Sequence, residues 1–82
     1  MTQESVFTAD DILRLVRQRP FAPFRIHMSD GAAYYVDHPE LVWVFPRRVT
    51  IGVPSRKEGL MQDYHNCALM HITRLEELGQ TG

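Results

Sequence analysis

Histidines and one cysteine near the end of the chain offer the most obvious candidate site. His65, Cys67 and His71 supply three metal-type ligands within seven residues. Structural zinc usually takes four such ligands, and Asp63 is the fourth candidate. On a strand His65 and Cys67 share a face, but His71 would lie past a turn, and the chain has no Cys-x-x-Cys pair. We therefore expect no metal site and no cofactor, with Cys67 acting as a small core residue.

Acid–base chemistry is a second possibility, near the middle of the chain. His27 and Asp37, with Tyr35 between them, would share one face of a β-hairpin, and a histidine beside a carboxylate can act as a general base. The sequence supplies no nucleophile to match, because Ser29 falls in a turn and Ser55 in a loop. The glycines are also too scattered to cradle a phosphate. We expect no catalytic residues here and interpret this face as a solvated cross-strand patch.

Nucleic-acid binding is the third possibility. Arginines beside aromatic rings hold single-stranded nucleic acid by stacking and charge. Trp43 lies in a continuous apolar run, where we expect it to belong to the core. The net charge of −1 also provides no basic field. The residues that could form this basic, aromatic surface are Arg25, Tyr35, Trp43, Arg47 and Arg48.

These side chains must be positioned first of all by a hairpin within residues 23–40, PFRIHMSDGAAYYVDHPE. Apolar and polar residues alternate before the turn, which is the period of a half-buried strand. A two-residue loop of Asp30 and Gly31 would pair Phe24 with Asp37. That register puts a carboxylate on the apolar face, and a slip of one residue exchanges the two faces.

A three-residue loop at positions 29–31 avoids this conflict. It pairs Phe24 with Val36 and Ile26 with Tyr34, so that one face is uniformly apolar. It also places a glycine where a type I turn with a G1 bulge requires positive φ. We predict this register, with Tyr34 and Val36 substantially buried. The residues predicted to share the polar face are Arg25, His27, Ala33, Tyr35 and Asp37.

A helix is predicted ahead of the hairpin. Thr8 and Asp11 form a capping box, and Leu15 belongs to an apolar stripe at helical spacing. Pro20 disfavours helical backbone in the residue before it. The pattern predicts a helix over residues 8–19.

Short strand-like runs fill the rest of the chain. Residues 41–45 are continuously apolar and predict a well-buried strand, and residues 49–53 alternate as a further strand. Residues 54–59 read as a loop. Beyond them we prefer a strand around residues 63–67, a turn and a last short strand. A helix through residues 68–78 is the alternative, because its apolar residues also fit a period of 3.6.

This order of elements predicts an α+β fold. An N-terminal helix would pack on a small, curved antiparallel sheet or barrel of five to six strands. Residues 1–82 are expected to form a single small domain. A loose lead over residues 1–6 and a frayed tail over residues 78–82 would flank it.

The segments RPFAPFRIHMSDGAAYYVDHPE and MHITRLEEL resemble a family of short, uncharacterised bacterial proteins. Members open with a helix, carry a Pro-Phe-Arg-x-x-x-Ser-Asp-Gly hairpin and a His-Pro-Glu step, and end near a His-x-Thr-Arg segment. The match covers most of the chain and implies no activity. The helix-then-curved-sheet order is also similar to the Sm-like small barrels, which include a bacterial RNA chaperone. No Sm-type nucleic-acid-binding signature is found, so this second resemblance implies no site residues.

The composition and the lengths of the apolar runs indicate the cellular compartment. A single cysteine excludes an internal disulfide. The first residues are acidic and polar, unlike a signal peptide, and no apolar run approaches the ~20 residues of a membrane span. We expect a cytoplasmic protein without membrane association.

The function predicted from these observations is that of a non-enzymatic interaction or assembly module acting through protein contacts. The expected partner is another protein or a second copy of the chain, because small antiparallel sheets have edges that invite pairing. Weak RNA or single-stranded DNA binding by an Sm-like barrel is the alternative. The predicted binding residues are Arg25, His27, Tyr35, Arg47 and Arg48.

Overall fold

The computed structural model describes residues 7–79, which form one α-helix and six β-strands. The predicted lead at residues 1–6 and the last three residues of the predicted tail lie outside this range. Short 3-10 turns, Pro39–Leu41 and Leu69–His71, precede the third and sixth strands. The elements are α1 (Ala9–Arg17), β1 (Phe24–Met28), β2 (Ala33–Val36), β3 (Val42–Val44), β4 (Arg48–Pro54), β5 (Met61–Ala68) and β6 (Ile72–Glu77).

The strands form two antiparallel sheets of three strands each. Sheet A has the order β2-β1-β6 and sheet B the order β3-β4-β5. The predicted α+β fold with an N-terminal helix and six antiparallel strands is confirmed, but the strands form two sheets and not the single curved sheet that we predicted. The strands of residues 7–79 do not close into the barrel that we considered, because no ladder joins sheet A to sheet B.

The hairpin has the predicted register. Phe24 pairs with Val36 and Ile26 with Tyr34, and the Met28 amide donates to the Ala32 carbonyl at 2.8 Å to close a three-residue loop. The glycine of that loop has φ of 92°, as the G1 bulge requires. Val36 is buried, and Tyr35 and Asp37 are exposed, as predicted, whereas Tyr34 is only half-buried.

Helix α1 begins as predicted and ends two residues early. The Thr8 amide donates to Asp11 Oδ2 at 2.9 Å, and the Asp11 amide donates to Thr8 Oγ1 at 3.3 Å, which completes the capping box. The helix ends at Arg17 because Gln18 is already extended, with ψ of 134°. The Arg19 guanidinium then donates to the Val16 carbonyl, one of the last helical acceptors.

The core lies between the inner faces of the two sheets and helix α1, which packs against β3 and β4. Helix and strands each contribute apolar residues at the spacing that points them inward. The buried residues are Ile12, Leu15, Phe24, Ile26, Val36, Val49, Ile51, Cys67, Leu69 and Ile72.

The third strand corrects one expectation. Residues 41–45 are not a well-buried strand: β3 is only three residues long, and Trp43 is 47% exposed rather than part of the core. Val42 and Val44 pair with Ile51 and Val49 and contact the core, so Trp43 points to the opposite side. Only one face of this edge strand is covered, and side chains alternate between faces.

The end of the chain is a strand. Residues 61–77 form β5, a 3-10 turn and β6, which confirms the preferred interpretation. The alternative helix over residues 68–78 is wrong, because β6 pairs along β1. Pairing satisfies the outward backbone groups of β1, which a helix could not do. Within residues 7–79, no helix combines the length and apolar character needed to cross a membrane.

Candidate functional site

The outer face of sheet A carries a cluster of basic side chains around one carboxylate, which we call the Glu76 cluster. Glu76 Oε1 lies 2.9 Å from His27 Nε2 and 3.3 Å from Arg25 Nη1. Glu76 Oε2 lies 3.3 Å from Arg74 Nη2. Register explains this, since Arg25 is opposite Glu76 and His27 opposite Arg74 in the β1–β6 ladder. Two of the predicted binding residues therefore already have an intramolecular partner.

The surroundings of Glu76 favour its ionised form. Its hydrogen bond with His27 is the largest effect and lowers the pKa of the Glu76 carboxyl. Desolvation is the next largest and raises it, and the charges of Arg74 and Arg25 lower it further, so the pKa stays below its usual value. Sequence reasoning missed Glu76 because residues 68–78 also fitted a helix. The alternation of Arg74 and Glu76 with Leu75 was the signal that could have found it.

We expect Glu76→Gln to reduce stability at neutral pH and to lose this effect in acid. The Glu76 pKa is lower in the folded protein than its ordinary value of 4.5, so the carboxylate stabilises the fold above that pH. The contribution is lost as pH falls through the folded-state pKa. Urea unfolding of the wild type and variant from neutral to strongly acidic pH measures this, with Glu77→Gln as the control for loss of one negative charge. A difference between the two variants that is independent of pH would contradict the assignment.

The predicted binding residues are divided between the two sheets. Tyr35 lies opposite Arg25 on sheet A and is 52% exposed. Arg47 and Arg48 lie at the β3–β4 connection of sheet B, where the Phe45 amide donates to the Arg48 carbonyl at 2.8 Å. The Arg48 guanidinium carbon is 4.1 Å from the centre of the Phe45 ring, a cation–π contact.

The acid–base pair considered from the sequence is not assembled. His27 contacts Glu76, whereas Asp37 Oδ1 lies 3.5 Å from His38 Nε2. His38 Nδ1 lies 3.3 Å from Glu40 Oε2, so both ring nitrogens face carboxylates.

The metal ligands considered from the sequence are dispersed. The His65 ring lies against Tyr34, with centroids 4.6 Å apart, while His71 is exposed at the end of a 3-10 turn. Cys67 is buried, and burial raises the pKa of its thiol to about 11, with a further contribution from the charge of Asp30. Across residues 7–79, no three His, Cys, Asp or Glu side chains gather in a way that could hold a metal ion.

The outer face of sheet B presents an apolar surface that the sequence did not predict. We call it the Trp43 face: Trp43, Met61 and Tyr64 around Gly52. Their exposed fractions are 47%, 50% and 63%. A Cβ at Gly52 would lie 3.3 Å from the Trp43 ring and 3.4 Å from the Met61 sulfur, so the missing side chain leaves room for both. The result is an open depression of about 570 Å³.

A glycine inside an alternating strand was the available signal for this surface. Such glycines often mark a close approach of another group to the backbone. Here the approaching groups are the Trp43 indole and the Met61 thioether. Comparison with known proteins finds no matching family model, no matching curated protein and no matching solved structure.

Proposed function

We propose that the protein is a non-enzymatic assembly module that forms a homodimer through the Trp43 face. The observation that carries this proposal is the half-exposed indole of Trp43 beside two other exposed large side chains, Met61 and Tyr64. Contiguous apolar surface of this kind marks interaction sites in soluble proteins. Aromatic residues and methionine are also the types enriched in interfaces.

A second copy of the chain is the occupant that suits this face. A two-fold interface brings the same patch of both protomers together, so a patch whose charges all have one sign repels its copy. Asp63 is the one charged residue among those lining the depression, all of which the structure describes. A nearly uncharged face is therefore compatible with itself. Two sheets stacked face to face also add buried apolar area to a domain whose own core is small.

The hairpin face predicted from the sequence is less suited to this role. To contact a partner there, Arg25 and His27 would have to break their contacts with Glu76, or all three side chains would be buried together in the interface. Burying charged groups has a high desolvation cost unless every partner is satisfied. Tyr35 remains available on that face and provides a matched aromatic control.

The test is the oligomeric state of the wild type and three variants by light scattering and sedimentation over a wide concentration range. We expect the wild type to be a dimer and Trp43→Ala to weaken dimerisation about thirtyfold or more, as for an interface hot spot. Tyr35→Ala is expected to leave the dimer unchanged. A wild type that is monomeric throughout contradicts the proposal. Loss of the dimer in Tyr35→Ala or Arg25→Glu alone would instead assign association to the hairpin face.

Single-stranded nucleic-acid binding is the second candidate. The Arg48–Phe45 contact and the exposed Trp43 ring lie on the same side of sheet B, and Arg47 is exposed beside them. This is the combination of rings and guanidinium groups on which bases stack. A fluorescent oligouridine titrated at low and moderate salt distinguishes the two candidates. Binding that weakens steeply with salt and is lost in Arg48→Gln would favour the second.

A further inference from the structure

Strand β2 is the edge of sheet A, and no other strand within residues 7–79 pairs with the outer side of its backbone. The bond from the Met28 amide to the Ala32 carbonyl identifies a hydrogen-bonded pair at the end of the hairpin. In an antiparallel ladder such pairs recur at every second residue, so Tyr34 and Val36 direct their amide and carbonyl groups towards β1. The intervening residues of this segment, Ala33, Tyr35 and Asp37, therefore direct theirs away from the sheet.

This free edge opens onto a cleft between the two sheets, which we call the β2 cleft. The cleft has a volume of about 460 Å³ and is lined by residues 33–38, residues 51–54 and His65. Its walls include the inward-facing side chains of Val36 and Ile51, both buried. The rings of Tyr34 and His65 meet where the edge strands β2 and β5 approach each other. Apolar walls beside unpaired backbone are the requirements for adding a strand.

Within its four residues, the edge strand β2 lacks the charged side chains, proline and bulge that can block such pairing. Protected edges are very short, or carry charged side chains, proline or a bulge. The edge strand β3 has three residues, and β6 carries Arg74, Glu76 and Glu77. Strand β2 is Ala-Tyr-Tyr-Val, one residue longer than β3, with no charge or proline inside it and no irregularity in its pairing with β1; Asp37 and Pro39 follow it.

The charge at one end of the cleft specifies the partner further. Asp37 and His38 line the end that follows β2, and His38 also contacts Glu40. The carboxylates of Asp37 and Glu40 both face the His38 ring, and one imidazole can neutralise at most one of these two negative charges. None of the residues lining the cleft, all of them within the described range, is Lys or Arg. The site is therefore complementary to a basic side chain.

We propose that the β2 cleft binds an extended segment of a partner protein, which pairs antiparallel with β2. The four residues of β2 span roughly 13 Å at ~3.3 Å per residue, so the segment would be four to five residues long. Every second side chain of it is apolar and faces Val36 and Ile51. A lysine or arginine at its amino end lies against Asp37 and His38. The cleft lies on the inner side of sheet B and the Trp43 face on the outer side, so peptide binding does not require dimerisation, although Gly52 lines both.

The first test uses the isotope-labelled full chain and a capped hexapeptide, Lys-Val-Thr-Val-Thr-Val. We expect NMR shift changes and slowed hydrogen exchange at the amides of Ala33, Tyr35 and Asp37. The same peptide N-methylated at all six residues, lysine included, should not bind, because none of its residues keeps a backbone N–H donor. Replacing the lysine of the unmethylated peptide with glutamate should weaken binding about two- to fivefold. Undetectable binding of the first peptide, equal binding of the N-methylated one, or changes confined to other residues would overturn the proposal.

The second test compares two substitutions at one position. The Tyr35 amide faces away from β1, so Tyr35→Pro leaves the β1–β2 ladder intact while it removes a donor and blocks the edge. We expect it to weaken peptide binding about tenfold or more, whereas Tyr35→Thr keeps the amide and binds within about twofold of the wild type. Equal loss in both variants would assign binding to the side chain and overturn strand addition. If Tyr35→Pro does not fold, strand addition is tested instead by whether the N-methylated peptide binds the wild type. Protection of these amides that rises with protein concentration, without peptide, would identify a second copy as the occupant and overturn a separate partner.

Discussion

Phe24→Ala is expected to lower the free energy of unfolding by about 3–5 kcal/mol, the usual cost of removing a fully buried phenylalanine. Phe24 has no exposed surface, and its ring packs edge-on to Phe21 with centroids 6.2 Å apart. It also occupies the central strand of sheet A, between Val36 and β6. The neighbours on both sides are paired into the sheet and cannot close the cavity. Urea unfolding monitored by circular dichroism measures the loss.

Phe45→Ala is the matched control for this prediction. The Phe45 ring is 38% exposed and contacts Arg48 on the outer side of sheet B. We expect a cost of about 1 kcal/mol or less, as for an exposed side chain with one cation–π contact. Similar losses for the two substitutions would contradict the placement of Phe24 in the core.

Leu15→Ala is expected to cost about 2–4 kcal/mol, because Leu15 fixes the helix to the sheets. Its side chain is buried in the core, and α1 packs against β3 and β4. Leu13, on the same helix, is only partly buried, so Leu13→Ala should cost clearly less. The same unfolding measurement applies to both variants.

The cap of the helix provides a second reference for Leu15. Thr8→Ala removes one side-chain acceptor and should cost about 1 kcal/mol. A Leu15→Ala cost no greater than that of Thr8→Ala would mean that the helix is capped but not docked against the sheets.

Local chemistry determined the helix start and the hairpin register. Thr8 and Asp11 are three positions apart, so the capping box forms within one turn of chain. Two local facts were enough to predict the hairpin register. The alternative register would place a carboxylate opposite Phe24, and the chosen turn requires positive φ at Gly31. Each decision rests on residues within about fifteen positions of one another. These features could therefore be predicted, whatever the rest of the chain does.

The existence and order of the later strands could also be predicted, but less sharply. Val49 and Ile51 alternate with smaller or polar residues, and that period of two is a property of the segment itself. The apolar residues within positions 68–78 fit both the period of a strand and that of a helix, so the pattern alone could not exclude a helix. This segment is a strand in the structure because its pairing with β1 satisfies the backbone groups of β1 that do not face β2.

Only the tertiary structure decided which surfaces are exposed and which charges meet. A continuous apolar run such as residues 41–45 has no period, so it cannot indicate that Trp43 faces outward while Val42 and Val44 face the core. His27 and Glu76 are 49 positions apart, and nothing local relates them. The free edge of β2 likewise depends on which strands the sheets leave unpaired. Burial and pairing are properties of the assembled sheets, whereas caps and turns are properties of a few consecutive residues.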